Sequence, residues 1–261
     1  MNEILQKRLG FAPWADPRTR RLPGTIPVAE ADWLVIDDAF GAQMALRDHL
    51  IATRPEVVHA LDARAAPAAA ELYDRILPLL GARGYRIGAT ITRPDGVTVA
   101  ADRSRPLLTL GRLVAEDLCL MLPGEGGEHI LGGAILCFPS GWSLRQKFMR
   151  PMMRIHRPVP HYTDDLGRRV QRLLDGIRPG VGLMRGTAHH SDAPLHNPRD
   201  EEHPRTPGPV LPFIRVERQC LFALPQSGAV VFSIHTSVIR PEDLDPEQAA
   251  LLRAFPIRSA S

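Results

Sequence analysis

Lysine is almost missing from this chain. Only Lys7 and Lys147 occur, so nearly all the positive charge is arginine. Arginine stays charged throughout the physiological range and forks onto carboxylates through two parallel hydrogen bonds. An excess of charge of one sign is lacking too, since 32 basic residues against 29 acidic ones leave a net +3. That balance, with no Lys/Arg run interleaved with aromatics, argues against a general nucleic-acid binder. It argues equally against long-range steering by a strongly charged partner. Cysteine is scarce: Cys119, Cys137 and Cys220 lie far apart inside apolar runs, and no pair has metal-ligand or redox spacing. They are expected as buried thiols in a reducing compartment. No apolar stretch approaches the ~20 residues a membrane helix needs, and no apolar leader core precedes Ala31. A cytoplasmic protein with no membrane segment is the expectation.

What is present is ordinary for a folded chain: 44% hydrophobic and 23% charged over 261 residues, enough for one large domain or two small ones. Residues 1–30 are rich in proline, arginine and glycine and show little periodicity, so an extended arm is expected, anchored by Phe11 and Trp14. Residues 31–261 read as one domain. Apolar spacing predicts helices over Asp37–Arg54, Pro67–Leu80 and Thr163–Ile177, with Pro78 expected to kink or end the second. Leu107–Leu122 also reads as helical, with Leu113, Val114, Leu118 and Met121 on one face and the acidic pair Glu116–Asp117 beside them. Adjacent residues on a helix do not face each other, which disfavours two-carboxylate chemistry there. His129–Pro139 is short, apolar and β-prone at its end, so a buried strand is expected.

Pro158 and Pro160 forbid a helix running on through the basic, Met-rich segment after Trp142, so His156 and His161 are not a helical ligand pair. Val181–Met184 is a short strand candidate, and His189–Gly208 reads as a long polar loop. Ile214–Ala223 and Ala229–Ile239 form a predicted hairpin about Pro225–Gly228. Alternation places Arg215, Glu217, Gln219 and Leu221 on one face and Val216, Arg218, Cys220 and Phe222 on the other. Asp245-Pro246-Glu247-Gln248 resembles a capping box that opens a last helix. The elements together imply an α+β domain on an antiparallel sheet.

Several of these stretches resemble one family, the haem-dependent oxidative N-demethylases, also described as the haem subunit of dimethylamine monooxygenase. The resemblance rests on Asp32-Trp33, Glu116-Asp117, Cys137-x-Pro139-Ser140-x-Trp142 and Ile155-His156-x-Pro158-Val159-Pro160. The longest motif is Arg215-x-Glu217-Arg218-Gln219-x-Leu221-x-x-Leu224-Pro225-x-Ser227-Gly228-Ala229-x-x-Phe232-x-Ile234. The motifs keep the family's order from Ala31 to about Leu252. One stretch departs: members usually carry arginine–polar–asparagine–tryptophan where this chain has Arg185-Gly186-Thr187-Ala188.

The resemblance implies a PAS-like curved antiparallel sheet with additional packed helices, holding haem b. It implies a small secondary amine as substrate, oxidised at an N-methyl group with dioxygen and leaving formaldehyde. Electrons would come from NADPH through a flavin and iron–sulphur reductase partner. His156 is then the candidate axial ligand, since haem iron takes a neutral imidazole oriented through its other nitrogen. Met152 would contribute to the apolar haem wall, and Arg150, Arg154 and Arg157 would pair with the propionates. Glu217 and Gln219 are the candidate catalytic pair, because a buried ammonium needs an acceptor. Against these stand a structural histidine, a solvated arginine face and an exposed sheet face with cross-strand charge pairing. Two further functions stay open: a non-catalytic PAS-like haem-binding sensor or partner protein, and a non-haem metal enzyme using His189, His190, Asp192, His196 and His203.

Overall fold

The computed structural model describes residues 3–20, 24–159, 162–204 and 206–257. Along the chain come β1 (Ile26–Val28), α1 (Phe40–Thr53), α2 (Pro55–Val58), β2 (His59–Leu61) and α3 (Ala66–Leu80). They are followed by β3 (Arg86–Ile87), β4 (Thr90–Thr92), β5 (Thr98–Ala100), α4 (Pro106–Gly111), β6 (Asp117–Pro123) and β7 (His129–Ile135). The second half holds α5 (Leu144–Lys147), α6 (Met152–His156), α7 (Asp164–Gly176), β8 (Gly182–Ser191), β9 (Phe213–Leu224), β10 (Ala229–Ile239) and α8 (Pro246–Ala254). Among the described residues seven strands make one antiparallel sheet, ordered β1-β8-β9-β10-β6-β7-β2, and β3-β4-β5 make a small second one. No helix among the described residues is long and apolar enough to cross a membrane.

The β9–β10 hairpin is the spine of the sheet. Its register runs from Leu224↔Ala229 to Ile214↔Ile239. Gly228 closes the turn at φ +72°, a left-handed conformation that costs glycine little. One face of the sheet packs on α1, α3 and α4, where Trp33, Met44, Leu72, Ile76, Leu110, Cys220, Phe222 and Val231 share a core. Trp33 anchors it, with its ring 4.3 Å from Phe222 and Nε1 donating to Ser233 Oγ at 2.9 Å. The other face packs on α6 and α7, where Cys119, Met121, Leu131, Leu221 and Val230 meet Ile155 and Leu174. Burial of such side chains is worth about 1.5–3 kcal/mol each, so both faces hold the sheet. The three cysteines are all buried free thiols.

The expected arm is laid over the domain. Trp14 is buried and donates Nε1 to Gln248 O of α8 at 2.9 Å. Phe11 and Pro13 press on β8 at Gly186, where an added Cβ would meet Phe11 at 2.2 Å, so glycine is required by close approach. Asp245 caps α8 by accepting from Gln248 N at 2.8 Å, as its sequence predicts, while the Gln248 amide reaches Leu9 O of the arm instead of closing the box.

Three expectations are corrected. Pro78 does not end α3 early, since the helix runs on to Leu80 with the proline inside it. Leu107–Leu122 is not one helix but α4 followed by β6, because a continuous apolar run suits a strand buried on both faces as well as it suits a helix. Glu116–Asp117 therefore marks the entry to a strand and its two side chains diverge. Asp117 accepts from Cys137 N at 2.6 Å, Phe138 N at 2.8 Å and the fully buried Arg47 at 2.6 Å. Glu116 accepts from Val35 N at 2.8 Å, and burial raises its pKa. Finally, the predicted loop from His189 begins later, because β8 continues to Ser191.

Candidate active site

Alternation on β8 and β9 assembles a polar row on an otherwise apolar face. The register sets Leu183 opposite Leu221, Arg185 opposite Gln219, Thr187 opposite Glu217 and His189 opposite Arg215. Side chains directly opposite each other on one face are neighbours. Gln219 Nε2 donates to Glu217 Oε2 at 2.9 Å, and Arg215 Nε lies 3.7 Å from Glu217 Oε1. Arg215 is held by Phe138 O at 2.6 Å and Leu195 O at 3.1 Å. Glu217 and Gln219 are thus brought together, half-buried, on the face that α6 and α7 cover.

His156 closes α6. Its Nδ1 lies 2.9 Å from Met152 O. A carbonyl only accepts, so Nδ1 carries the proton and Nε2 keeps its lone pair. Burial pushes the imidazole pKa down to about 4, against the hydrogen bond to Met152, with Lys147 and Arg185 adding to the fall. The ring stacks on Tyr162 at 4.1 Å with an interplanar angle of 12°. A neutral histidine, oriented through Nδ1 and carrying a free Nε2, has the donor character of a metal-ligating imidazole.

The arginines chosen from sequence sit differently. Arg154 and Arg157, on either side of His156, both pair with Glu201, at 2.7 and 2.5 Å. Arg150 is exposed, and its backbone bonds Leu131 and Lys147. Met152 is half-buried against the second core beside Phe148. A cavity of about 520 Å³ next to α6 is lined by Met152, Met153, Gly167 and Gln171. A second, of about 440 Å³, is lined by His129, Gln171, Leu174 and Val230. Neither of the two is lined by His156 or Glu217.

Sequence reasoning missed Tyr162, Lys147, Glu201 and the place of Arg185 in the polar row. Extending the period-two pattern of Val181–Met184 through His189 would have aligned Arg185 with Gln219. Lys147 donates Nζ to Ile155 O at 2.8 Å, and burial lowers its pKa to about 8.

The His-rich segment is dispersed. His189 lies on β8 with Nε2 3.3 Å from Ser140 Oγ, and His196 Nδ1 lies 2.7 Å from Cys137 O. Among the described residues no group of three or more histidine, cysteine or acidic side chains could hold a metal ion. His235 lies on the opposite sheet face, with Nε2 3.2 Å from Asp37 and Nδ1 3.6 Å from Glu116. His161 and Pro160 lie outside the described residues.

A comparison with curated proteins gives no match. The model of one family, described as haem-dependent oxidative N-demethylase, alpha subunit-like, matches residues 25–256, which include both motif-bearing strands and α6. The chain therefore belongs to the haem-dependent oxidative N-demethylase alpha subunit-like family.

Proposed function

We propose that this chain is the haem-binding subunit of an oxidative N-demethylase-like monooxygenase. The observation that carries the reading is His156, neutral, with Nδ1 committed to Met152 O and Nε2 left free, on the helix that packs on the sheet face carrying Glu217 and Gln219. The residues present fit a haem: one imidazole donor, apolar neighbours in Met152 and Phe148, and two buried polar atoms without partners, Arg185 Nε and Tyr162 OH. In the large sheet β7-β6-β10-β9-β8 run 2-1-5-4-3 in their order along the chain, which supports a PAS-like scaffold.

Haem b held there would use dioxygen, with two electrons passed from NADPH through a flavin and iron–sulphur reductase partner, to oxidise the N-methyl group of a small secondary amine, releasing formaldehyde and water. The chain's own residues bind and orient. His156 Nε2 would ligate the iron, with the Met152 carbonyl fixing the ring. Glu217 Oε1 would accept an N–H of the amine, since Oε2 is occupied by Gln219. Gln219 and Arg215 would hold that carboxylate in place. Leu183, Leu221 and Phe232 would exclude water from the methyl group.

The test is the absorption spectrum of protein purified with haem supplied, beside His156→Ala. A Soret band that shifts or disappears in the variant supports the reading. A well-folded wild type without any Soret band overturns it. Oxygen consumption that needs both reductase and an N-methylamine then separates turnover from haem storage or sensing.

A further inference from the structure

Arg185 differs from Arg154, Arg157 and Arg215. Arg154 and Arg157 share Glu201, and Arg215 is spent on two carbonyls. Arg185 makes no hydrogen bond or ion pair among the described residues, and its Nε is buried without a partner. It stands opposite Gln219 on β8, and its charge acts on both His156 and Tyr162, whose rings stack on each other. The carboxylate that acts on it is Glu217, from beyond ion-pair range, and burial still lowers its pKa. The Tyr162 hydroxyl, on the ring that stacks on His156, is likewise buried without a partner. Two buried donors, one of them cationic, neither with a hydrogen-bond partner among the described residues, form an incomplete arrangement. The group that completes it must be anionic and rich in acceptors, and a carboxylate matches the guanidinium fork.

We infer that Arg185 and Tyr162 form a carboxylate-binding subsite beside His156. The inference rests on the haem reading above and deepens it by naming a chemistry the pocket demands. The carboxylate has two possible sources: a propionate of the cofactor, or the carboxylate of an N-methyl amino acid whose ammonium meets Glu217. A simple dialkylammonium ion offers Arg185 nothing.

The experiment compares wild type with Arg185→Gln and with Tyr162→Phe, which deletes one hydroxyl and guards against a folding failure in the first variant. Haem b and its dimethyl ester are titrated into cofactor-free protein. N-Methylglycine and dimethylammonium are then titrated into the haem-loaded protein and followed by the Soret band. If the source is a propionate, wild type prefers haem b over the diester by about tenfold or more, the scale of a charge-assisted pair, and both variants reduce that preference. If the source is the substrate, esterification changes little. N-Methylglycine then binds wild type about tenfold more tightly than Arg185→Gln, while dimethylammonium does not distinguish them. Equal haem-to-diester ratios and equal N-methylglycine affinities in all three proteins overturn the subsite. If wild type shows no Soret band, the haem reading falls by itself. The subsite is then decided by N-methylglycine on the cofactor-free protein: a saturable shift of the Arg185 Nε–H resonance supports it, and no shift overturns it.

Discussion

Removing the Asp117 carboxylate should loosen the structure far more than its place beside a loop suggests. Arg47 and Asp117 are 0% and 1% exposed and 2.6 Å apart. Asp117 also takes the amides of Cys137 and Phe138, which begin the segment leading to α5 and α6. Asp117→Ala leaves a buried guanidinium uncompensated, a change worth about 3–5 kcal/mol. The two abandoned amides add about 1 kcal/mol or more each, partly overlapping with that figure. A domain with about 5–15 kcal/mol of stability would lose a large share of it. Urea unfolding followed by circular dichroism and by fluorescence gives the value, and agreement of the two probes checks that the transition is two-state. Arg47→Met alone is also costly, since Arg47 Nε holds Gly111 O at 2.9 Å. The double variant Arg47→Met/Asp117→Leu should cost clearly less than the sum of the singles, because no buried charge survives. The site should respond as well, since Phe138 O holds the arginine beside Glu217. A cost for Asp117→Ala below about 1 kcal/mol, or strict additivity in the cycle, would refute the argument.

Three further outcomes follow from the same geometry. His156 titrates near 4 when folded and near 6.5 when unfolded, so below about pH 6.5 the unfolded chain binds a proton that the native chain refuses. Stability of the haem-free protein should fall as pH drops from about 6.5 to 4, by up to about 3 kcal/mol, and His156→Gln should remove that slope from urea midpoints measured across the window. Gly186→Val should strike Phe11 and Pro13 and undock the arm, costing about 1–3 kcal/mol; faster proteolysis within residues 3–20 is the readout, and unchanged protection would contradict the contact. Lys147, beside Trp142 and bonded to Ile155 O, should titrate at about pH 8; with two lysines in the chain, ¹³C-methylated lysine resonances assign it, and a midpoint above about 10 would show that its burial is not real in solution.

The sequence was informative wherever one physical signal had no competitor. Alternation over Arg215–Leu221 put Glu217 and Gln219 on one face, because strand geometry leaves a side chain only two directions, and the hairpin register agrees. Asp245 announced a helix start through a cap, and it accepts the expected backbone amide. Leu107–Leu122 was misread because an apolar run says that a segment is buried without saying how it is wound. The acidic pair inside it was then judged by helical neighbours it does not have. The arginines show the deeper limit. Four of them crowd Arg145–Arg157, yet what separates Arg154 and Arg157 from Arg185 is where the acceptors lie. Glu201 comes from a loop 47 residues beyond Arg154, and no local pattern carries that information. Charge type is local and charge compensation is tertiary, so a sequence can nominate guanidiniums for a carboxylate but only the folded chain shows which one is still without a partner.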